Sequence, residues 1–245
     1  MKRIMFMVLR LFYIAPIWFY RVCKYGKSDR YTEEQRYEVL HGMMRRINRA
    51  GRVFIDAHGM EHLPKEGGYI MFPNHQGLFD TLALFESHEK PFTFVVKKEM
   101  EQVFLVKQII RLMKAQLMDR EDVRQSLQVI KKMAEEVKEG RRYVIFAEGT
   151  RSRKGNEMIE FKAGTFKSAM MAKCPIVPVA LIDAYKAFDT NSIKPVTVQI
   201  HYLPPIQYEE YKNMKSGEIA AEVKKRIEET IHRHEKKCKI YEKIR

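Results

Sequence analysis

The segment Asn74 to Asp80 reads NHQGLFD and carries a histidine and an aspartate five positions apart. Five residues turn an α-helix through about 140°, so His75 and Asp80 cannot share a helix face. They meet only if His75 lies in a turn and Asp80 in the first turn of a helix. The carboxylate then accepts from one ring nitrogen and leaves the other as a general base. This is a serine-hydrolase relay without its serine, so the missing nucleophile would be a hydroxyl brought by the substrate. The same residues also suit an ordinary loop histidine beside a helix-start aspartate.

A second segment, Phe146 to Arg153, reads FAEGTRSR. Gly149 permits a close backbone turn, and Thr150 and Ser152 offer hydroxyls. Arg151 and Arg153 present planar forks that bind anionic oxygens in pairs. Glu148 can orient an arginine or a substrate hydroxyl. The glycine and lysine spacing of a P-loop is absent, and a solvated basic turn has the same composition. In Lys114 to Arg120 (KAQLMDR), Arg120 is either a second phosphate ligand or a surface charge near a helix start. Ile176 to Ala180 (IVPVA) is an apolar strand interrupted by Pro178, which points to an edge or a bulge beside a site. Its valines equally suit core packing.

These residues need a scaffold, and the chain can build one. It has 245 residues, 45% hydrophobic and 31% charged, enough to bury a core without metal or disulfide staples. Cys23, Cys174 and Cys238 are too scattered for a zinc site or a disulfide framework, and their odd number points to a reducing compartment. Short β-rich runs follow Gly51: Val53 to Ala57, Tyr69 to Phe72, Phe92 to Val96, Tyr143 to Phe146, Ile176 to Ile182 and Val196 to Tyr202. Helical stretches lie between them, at Thr81 to Glu86, Met100 to Met113, Asp119 to Glu139 and Gly164 to Ala172. In the longest, Asp119 is the expected N-cap and Val123, Leu127, Ile130, Ala134 and Val137 the apolar stripe. Ile219, Val223, Ile227 and Ile231 mark one more helix, with a frayed lysine-rich tail expected after His234. The alternation gives an α/β fold, a mixed β-sheet flanked by helices.

A net charge of +14 calls for an anionic partner: nucleic acid, anionic lipid or a phosphorylated substrate. Zinc-finger spacing, an RNP-like aromatic block and a clear reader helix are all missing, which argues against nucleic acid. The first residues, MKRIMFMVLRLFYIAPIWFYR, form an apolar run interrupted by Arg10 and broken by Pro16. That is too short and too charged for a spanning helix. It reads as a segment in the bilayer interface, with Trp18 and the tyrosines at headgroup depth and Lys2, Arg3, Arg10, Arg21 and Lys24 on anionic phosphates. A helix packed on the core is the alternative. Thr32 to Ala50 is amphipathic through Tyr37, Leu40, Met44 and Ile47, and it either joins the first segment on the membrane or packs on the domain. The expected organisation is therefore residues 1–50 as membrane-associating helices and residues 51–245 as the catalytic domain. Deleting Met1 to Lys24 is expected to release the protein from membranes and spare the core.

Taken in order, the four segments resemble the sequence blocks of the glycerolipid acyltransferase family, most closely its bacterial 1-acyl-glycerol-3-phosphate acyltransferases. NHQGLFD is similar to the first block, KAQLMDR to the second, FAEGTRS to the third and IVPVAL to the fourth. The resemblance covers roughly Gly59 to Ile206. Gly77 stands where the family often has Ser, Ala115 where it often has Gly, and Ala147 where it often has Pro; none of these removes a reactive group.

The resemblance implies acyl transfer from a thioester, acyl-CoA or acyl-acyl carrier protein, to the sn-2 hydroxyl of a lysophospholipid, giving phosphatidic acid. His75 and Asp80 would be catalytic, and Glu148, Gly149, Thr150, Arg151 and Arg120 would bind the acceptor phosphate. No metal and no redox cofactor is implied, because the thioester is already activated. The implied location is the cell membrane, monotopic or peripheral on the cytoplasmic face. Glycerol-3-phosphate or another lysolipid is the alternative acceptor, and a non-catalytic basic membrane adaptor is the alternative outside enzymology.

Overall fold

The computed structural model describes residues 2–244, with side chains as far as Glu235, so that Cys238 lies beyond them. Three helices come first: α1 (Lys2–Leu11), α2 (Ala15–Lys27) and α3 (Glu33–Ala50). The sheet and its crossovers follow as β1 (Val53–His58), β2 (Ile70–Pro73), α4 (Asp80–Ser87), β3 (Thr93–Lys97), α5 (Phe104–Met113), β4 (Gln116–Met118), α6 (Val123–Lys138) and β5 (Tyr143–Val144). The chain closes with α7 (Lys167–Ala172), β6 (Ile176–Ile182), α8 (Tyr185–Phe188), β7 (Val196–Tyr202), α9 (Tyr208–Tyr211) and α10 (Ser216–Ile244). The seven strands form one sheet in the order β1-β7-β6-β2-β5-β3-β4. Every neighbouring pair is parallel except β6 with β7, so the fold is α/β with a mixed sheet flanked by helices.

The central strands are buried on both faces, which is why they read as unbroken apolar runs. Tyr69, Met71, Val177, Val179 and Leu181 face one core, shared with Tyr37, Leu40 and Met44 of α3 and with Leu84 and Phe85 of α4. Ile70, Phe72, Ile176, Ala180 and Ile182 face the other, shared with Met133 and Val137 of α6 and with Ile219, Val223, Ile227 and Ile231 of α10. Consecutive side chains of a strand point to opposite faces, so each strand feeds both cores.

Several expectations are corrected. The α6 helix starts at Val123, and its N-cap is Asp122, whose carboxylate accepts from Arg124 N at 2.9 Å and Gln125 N at 3.0 Å. Its buried face is Val129, Met133, Ala134 and Val137, whereas Val123 is 80% exposed. The expected helix from Met100 divides into a 3₁₀ turn at Lys98–Gln102 and α5. Strand β4 was not expected at all. Pro178 lies in an interior strand, between β2 and β7, and not at an edge. Its carbonyl accepts from Leu203 N at 3.0 Å, where the partner chain has already left β7, so its missing N–H breaks no bond of the β6–β7 ladder, whose register begins at Val179. Most of the lysine-rich tail after His234, where fraying is expected, lies outside the residues whose side chains are described.

At the N-terminus, Pro16 occupies the first turn of α2, a position that needs no N–H, and the chain bends by 88° between α1 and α2. No single helix among the described residues is long and apolar enough to cross a membrane, although the bent pair together meets that length and composition. Arg3 is not a surface cation. It is fully buried and donates to Ala187 O at 2.8 Å, Gly51 O at 2.5 Å and Lys194 O at 2.7 Å. Met7 and Val22 are buried in the core as well, so α1 and α2 are part of the folded body. Their outer faces expose Met5, Val8, Leu9, Ile17 and Tyr20, and the turn between them exposes Phe12 and Tyr13. The α3 helix begins with a capping box between Thr32 and Gln35 and spends its apolar face on the core, which favours the domain-packed alternative for it.

Candidate active site

Each of the four sequence blocks follows or forms a strand that points the same way. The first leaves β2, the second ends β4, the third leaves β5 and the fourth is β6, all of them parallel to one another through β2, β3 and β5. Loops at one edge of a parallel sheet converge beyond its carboxyl ends, where α/β sites form. The sheet order thus brings together residues far apart in sequence.

The first loop is tied down by amides. Asn74 answers Leu181 of β6 like an added strand residue: its Oδ1 accepts Leu181 N at 2.7 Å and its Nδ2 donates to Leu181 O at 3.0 Å. Gln76 donates to the same carbonyl at 2.8 Å and to Asn156 Oδ1 at 2.8 Å. Both amides are buried. Sequence reading gave these two no function, though a signal was available. Buried amides next to a wholly apolar strand must find partners, and such partners define a loop.

His75 is thereby set in the turn and Asp80 at the first position of α4. The Nδ1–H of His75 donates to Asp80 Oδ2 at 2.7 Å. Asp80 also accepts from Gln76 N at 2.7 Å and Gly77 N at 3.0 Å, so its carboxylate can serve His75 only as an acceptor. Nδ1 must then carry the proton, and Nε2 holds the free lone pair. Burial pushes the Asp80 carboxyl up from its ordinary value, against the pull of His75 and of the Gly77 and Gln76 N–H groups. The His75 side chain keeps 20% of its surface open, while that of Asp80 has none. Phe146 stacks on the imidazole with ring centres 4.0 Å apart and fixes its plane.

The third loop is joined to the first through the main chain. Glu148 Oε1 accepts His75 N at 2.7 Å, Glu148 Oε2 accepts Ile159 N at 3.2 Å, and Ser152 N donates to His75 O at 2.8 Å. Glu148 is buried, and that burial raises its carboxyl above the ordinary value. Its oxygens therefore hold backbone, where an arginine or a substrate hydroxyl had been expected. Gly149 adopts φ +73°, a left-handed turn that favours glycine. The N–H groups of Thr150 and Arg151 that follow find no acceptor among the described residues. Thr150 is exposed and Arg151 half-exposed, and the Arg151 guanidinium makes no hydrogen bond or ion pair among the described residues.

Arg120 reaches the same turn from β4, where its guanidinium donates to Gly149 O. Burial pushes it down from its ordinary value, an effect Glu99 opposes. The chain before it is anchored to α6 by Asp119 N to Gln125 Oε1 at 2.8 Å and Ser126 Oγ to Asp119 O at 2.7 Å. One imidazole with a free nitrogen, a buried carboxylate behind it, and an unneutralised basic turn beside it make an arrangement able to deprotonate a hydroxyl on an anionic molecule.

Comparison with known proteins gives this arrangement its family. The model of the Acyltransferase family matches residues 54–182, just over half of the chain. A protein of Borreliella burgdorferi named 1-acyl-sn-glycerol-3-phosphate acyltransferase is 30% identical over 150 residues, 60% of each chain, so the match spans three fifths of that relative. One of the same name from Salmonella typhimurium is 29% identical over 166 residues, 67% of each. The crystal structure of the 1-acyl-sn-glycerophosphate acyltransferase of Thermotoga maritima shares the fold, with a TM-score of 0.77 over 96% of this chain and 98% of that one at 19% identity. The family match spans the first three blocks and the fourth through Ile182, and on that ground the chain belongs to the Acyltransferase family.

Proposed function

We propose that this protein moves a fatty acyl group from an acyl thioester to the sn-2 hydroxyl of 1-acyl-glycerol-3-phosphate, giving phosphatidic acid. The observation that carries the reading is the 2.7 Å bond from His75 Nδ1 to buried Asp80, which leaves the Nε2 lone pair unused on a side chain that keeps 20% of its surface open. The names of the relatives support the choice of acceptor.

In this reading Nε2 of His75 takes the proton of the acceptor hydroxyl while its oxygen attacks the thioester carbonyl. Asp80 stabilises the imidazolium that results, and it needs no reorientation to do so. When the tetrahedral intermediate collapses, the carbon–sulfur bond breaks and the imidazolium returns its proton to the departing thiolate. A base positioned this way contributes about 10²- to 10⁴-fold. Glu148 keeps His75 in register, Arg151 binds the acceptor phosphate, and Arg120 holds the Gly149 turn that presents it. The donor is acyl-CoA or acyl-acyl carrier protein, and no further cofactor enters.

Membrane attachment belongs to the same reading. The exposed apolar and aromatic faces of α1 and α2 lie beside exposed Lys2, Arg10, Arg21 and Lys24, a combination that suits the headgroup boundary of an anionic bilayer. Attachment is monotopic or peripheral on the cytoplasmic side. The test is direct: purified protein, an acyl thioester and lysophosphatidic acid should yield phosphatidic acid and free thiol in equal amounts. Failure to consume thioester with any lysolipid or with glycerol-3-phosphate would leave only the basic adaptor.

A further inference from the structure

Lys162 lies outside the four sequence blocks, yet the fold sets it on the third. Its N–H donates to Ala147 O at 2.8 Å, and its carbonyl accepts from Thr165 N at 3.0 Å and Thr165 Oγ1 at 2.7 Å. The backbone is held on both sides, so the side chain departs from a fixed point. It runs over Gly149: a Cβ placed there would stand 2.8 Å from Lys162 Cε and 2.9 Å from Nζ. The ammonium therefore rests on the turn whose carbonyl Arg120 holds and whose Thr150 and Arg151 N–H groups have no acceptor among the described residues.

Three cationic residues thus share one turn: Arg151 belongs to it, and the side chains of Arg120 and Lys162 reach it at Gly149. None of them makes an ion pair among the described residues. The acids nearby are engaged elsewhere: Glu148 on two backbone N–H groups, Glu160 on Lys224 at 3.1 Å, and Glu99, whose charge reaches Arg120, on Lys97 at 2.7 Å. Like charges held together without a counter-ion repel, and a ligand carrying two negative charges relieves that repulsion best. Backbone N–H groups following a left-handed glycine add donors of the same sense.

We propose that Lys162 is a specificity-determining phosphate ligand, which makes the site select a phosphate monoester headgroup on the acceptor over a phosphodiester. A monoester carries close to two charges at neutral pH and three terminal oxygens, whereas a diester carries one charge and two. The proposal rests on the reading above in that it puts the acceptor at this turn. The acyl donor is a second source of the same chemistry, because coenzyme A also bears a phosphate monoester.

The experiment is calorimetric titration of the full chain in detergent micelles with lysophosphatidic acid, lysophosphatidylglycerol and coenzyme A, using wild type, Lys162→Met and Lys162→Arg. Loss of one charge-assisted contact predicts binding of lysophosphatidic acid about 10- to 150-fold weaker in Lys162→Met. Lysophosphatidylglycerol and coenzyme A should change less than twofold, and Lys162→Arg should retain most of the affinity. The wild-type advantage should shrink below about pH 6, where the monoester loses its second charge. Unchanged lysophosphatidic acid binding in Lys162→Met overturns the proposal. So does equal loss for both lysolipids, loss confined to coenzyme A, or a wild type that binds neither lysolipid. Acyl transfer measured alongside separates the two levels: discrimination without transfer discards the proposed function alone, and transfer with an indifferent Lys162→Met discards Lys162 alone.

Discussion

His75 and Glu148, 73 positions apart, are joined through the main chain: Glu148 Oε1 accepts the His75 N–H at 2.7 Å. The other oxygen of Glu148 accepts from Ile159, so one buried carboxylate sets the first and third loops relative to each other. The position of the imidazole is decided by a residue that never needs to touch substrate.

Glu148→Gln tests this. Glutamine keeps one acceptor and replaces the other with an NH₂, which must confront one of the two N–H donors. A buried donor left unmade costs about 1–3 kcal/mol, which lowers Tm by roughly 2–12 °C in a domain of this size. The kcat should fall with the loop displaced, and the KM of the acyl donor should change little. Thermal melts and steady-state kinetics on the same preparation check both; full stability with full activity would remove Glu148 from the positioning network.

Asp80→Asn should impair turnover by about 10²- to 10⁴-fold at nearly unchanged KM. If the amide turns its oxygen to His75, the imidazolium forms beside a neutral partner and the NH₂ faces the Gly77 N–H. If it turns the other way, Nδ1 loses its acceptor and the proton moves to the nitrogen that must act as base. Kinetics with circular dichroism as the fold control is the measurement, and a variant within threefold of wild type would contradict the assignment.

The N-terminal helices carry two separable contributions. Arg3→Met strips the buried carbonyls of Ala187 and Gly51 and the part-buried one of Lys194 of their donor, and even one buried loss costs about 1–3 kcal/mol. Replacing exposed Leu9, Phe12 and Ile17 with Gln should leave Tm within about 2 °C, as surface changes usually do. Flotation with anionic liposomes should reverse the pattern: the triple variant loses binding, and Arg3→Met keeps it as long as it is folded. Removing residues 1–24 outright confounds the two, because Arg3, Met7 and Val22 leave with the anchor.

His88 supplies a pH dependence. Its Nδ1 faces Lys90 O at 2.6 Å, so Nδ1 carries the proton and Nε2 accepts from the Tyr69 hydroxyl at 2.8 Å. Burial pushes its pKa down to about 4. The unfolded chain takes up this proton near pH 6.5 and the folded chain only near 4, so the unfolded state binds more protons between them. The contribution is full above about pH 6.5 and falls away toward pH 4, by about 3 kcal/mol in all. Denaturant titrations across this window should show a shallower pH slope in His88→Gln than in wild type; parallel curves would contradict the buried neutral state.

Much of this was legible in the residues. The strand Ile176–Ile182 is bounded as its apolar run suggests, since burial on both faces leaves no polar interruption, and Val196–Tyr202, which alternates apolar with polar residues, is bounded as its β-rich run suggests. The geometry of five residues across a helix start allows His75 to pair with Asp80, and the resemblance of NHQGLFD to the family's first block implies that it does. What could not be read depends on partners distant in sequence. Strand β4 has three half-buried residues and too few positions to show alternation. Arg3 looks like one more surface cation in a basic segment, and only the carbonyls of Gly51, Ala187 and Lys194 make it a core residue. Asp119 is the expected cap, but Gln125 binds the Asp119 N–H while its own N–H goes to Asp122, which takes the role. Glu148 looked like a ligand-facing acid because nothing local reveals that the His75 and Ile159 N–H groups will claim it.

The central claim is that Nε2 of His75 is the base, and His75→Ala tests it most directly. Purified wild type and variant would be compared for phosphatidic acid formed from lysophosphatidic acid and an acyl thioester, with melting curves and lysophosphatidic acid binding measured on the same samples. The expected result is a rate lower by about 10²- to 10⁴-fold, with the fold and acceptor binding retained. A folded His75→Ala protein that turns over within twofold of wild type would contradict the account.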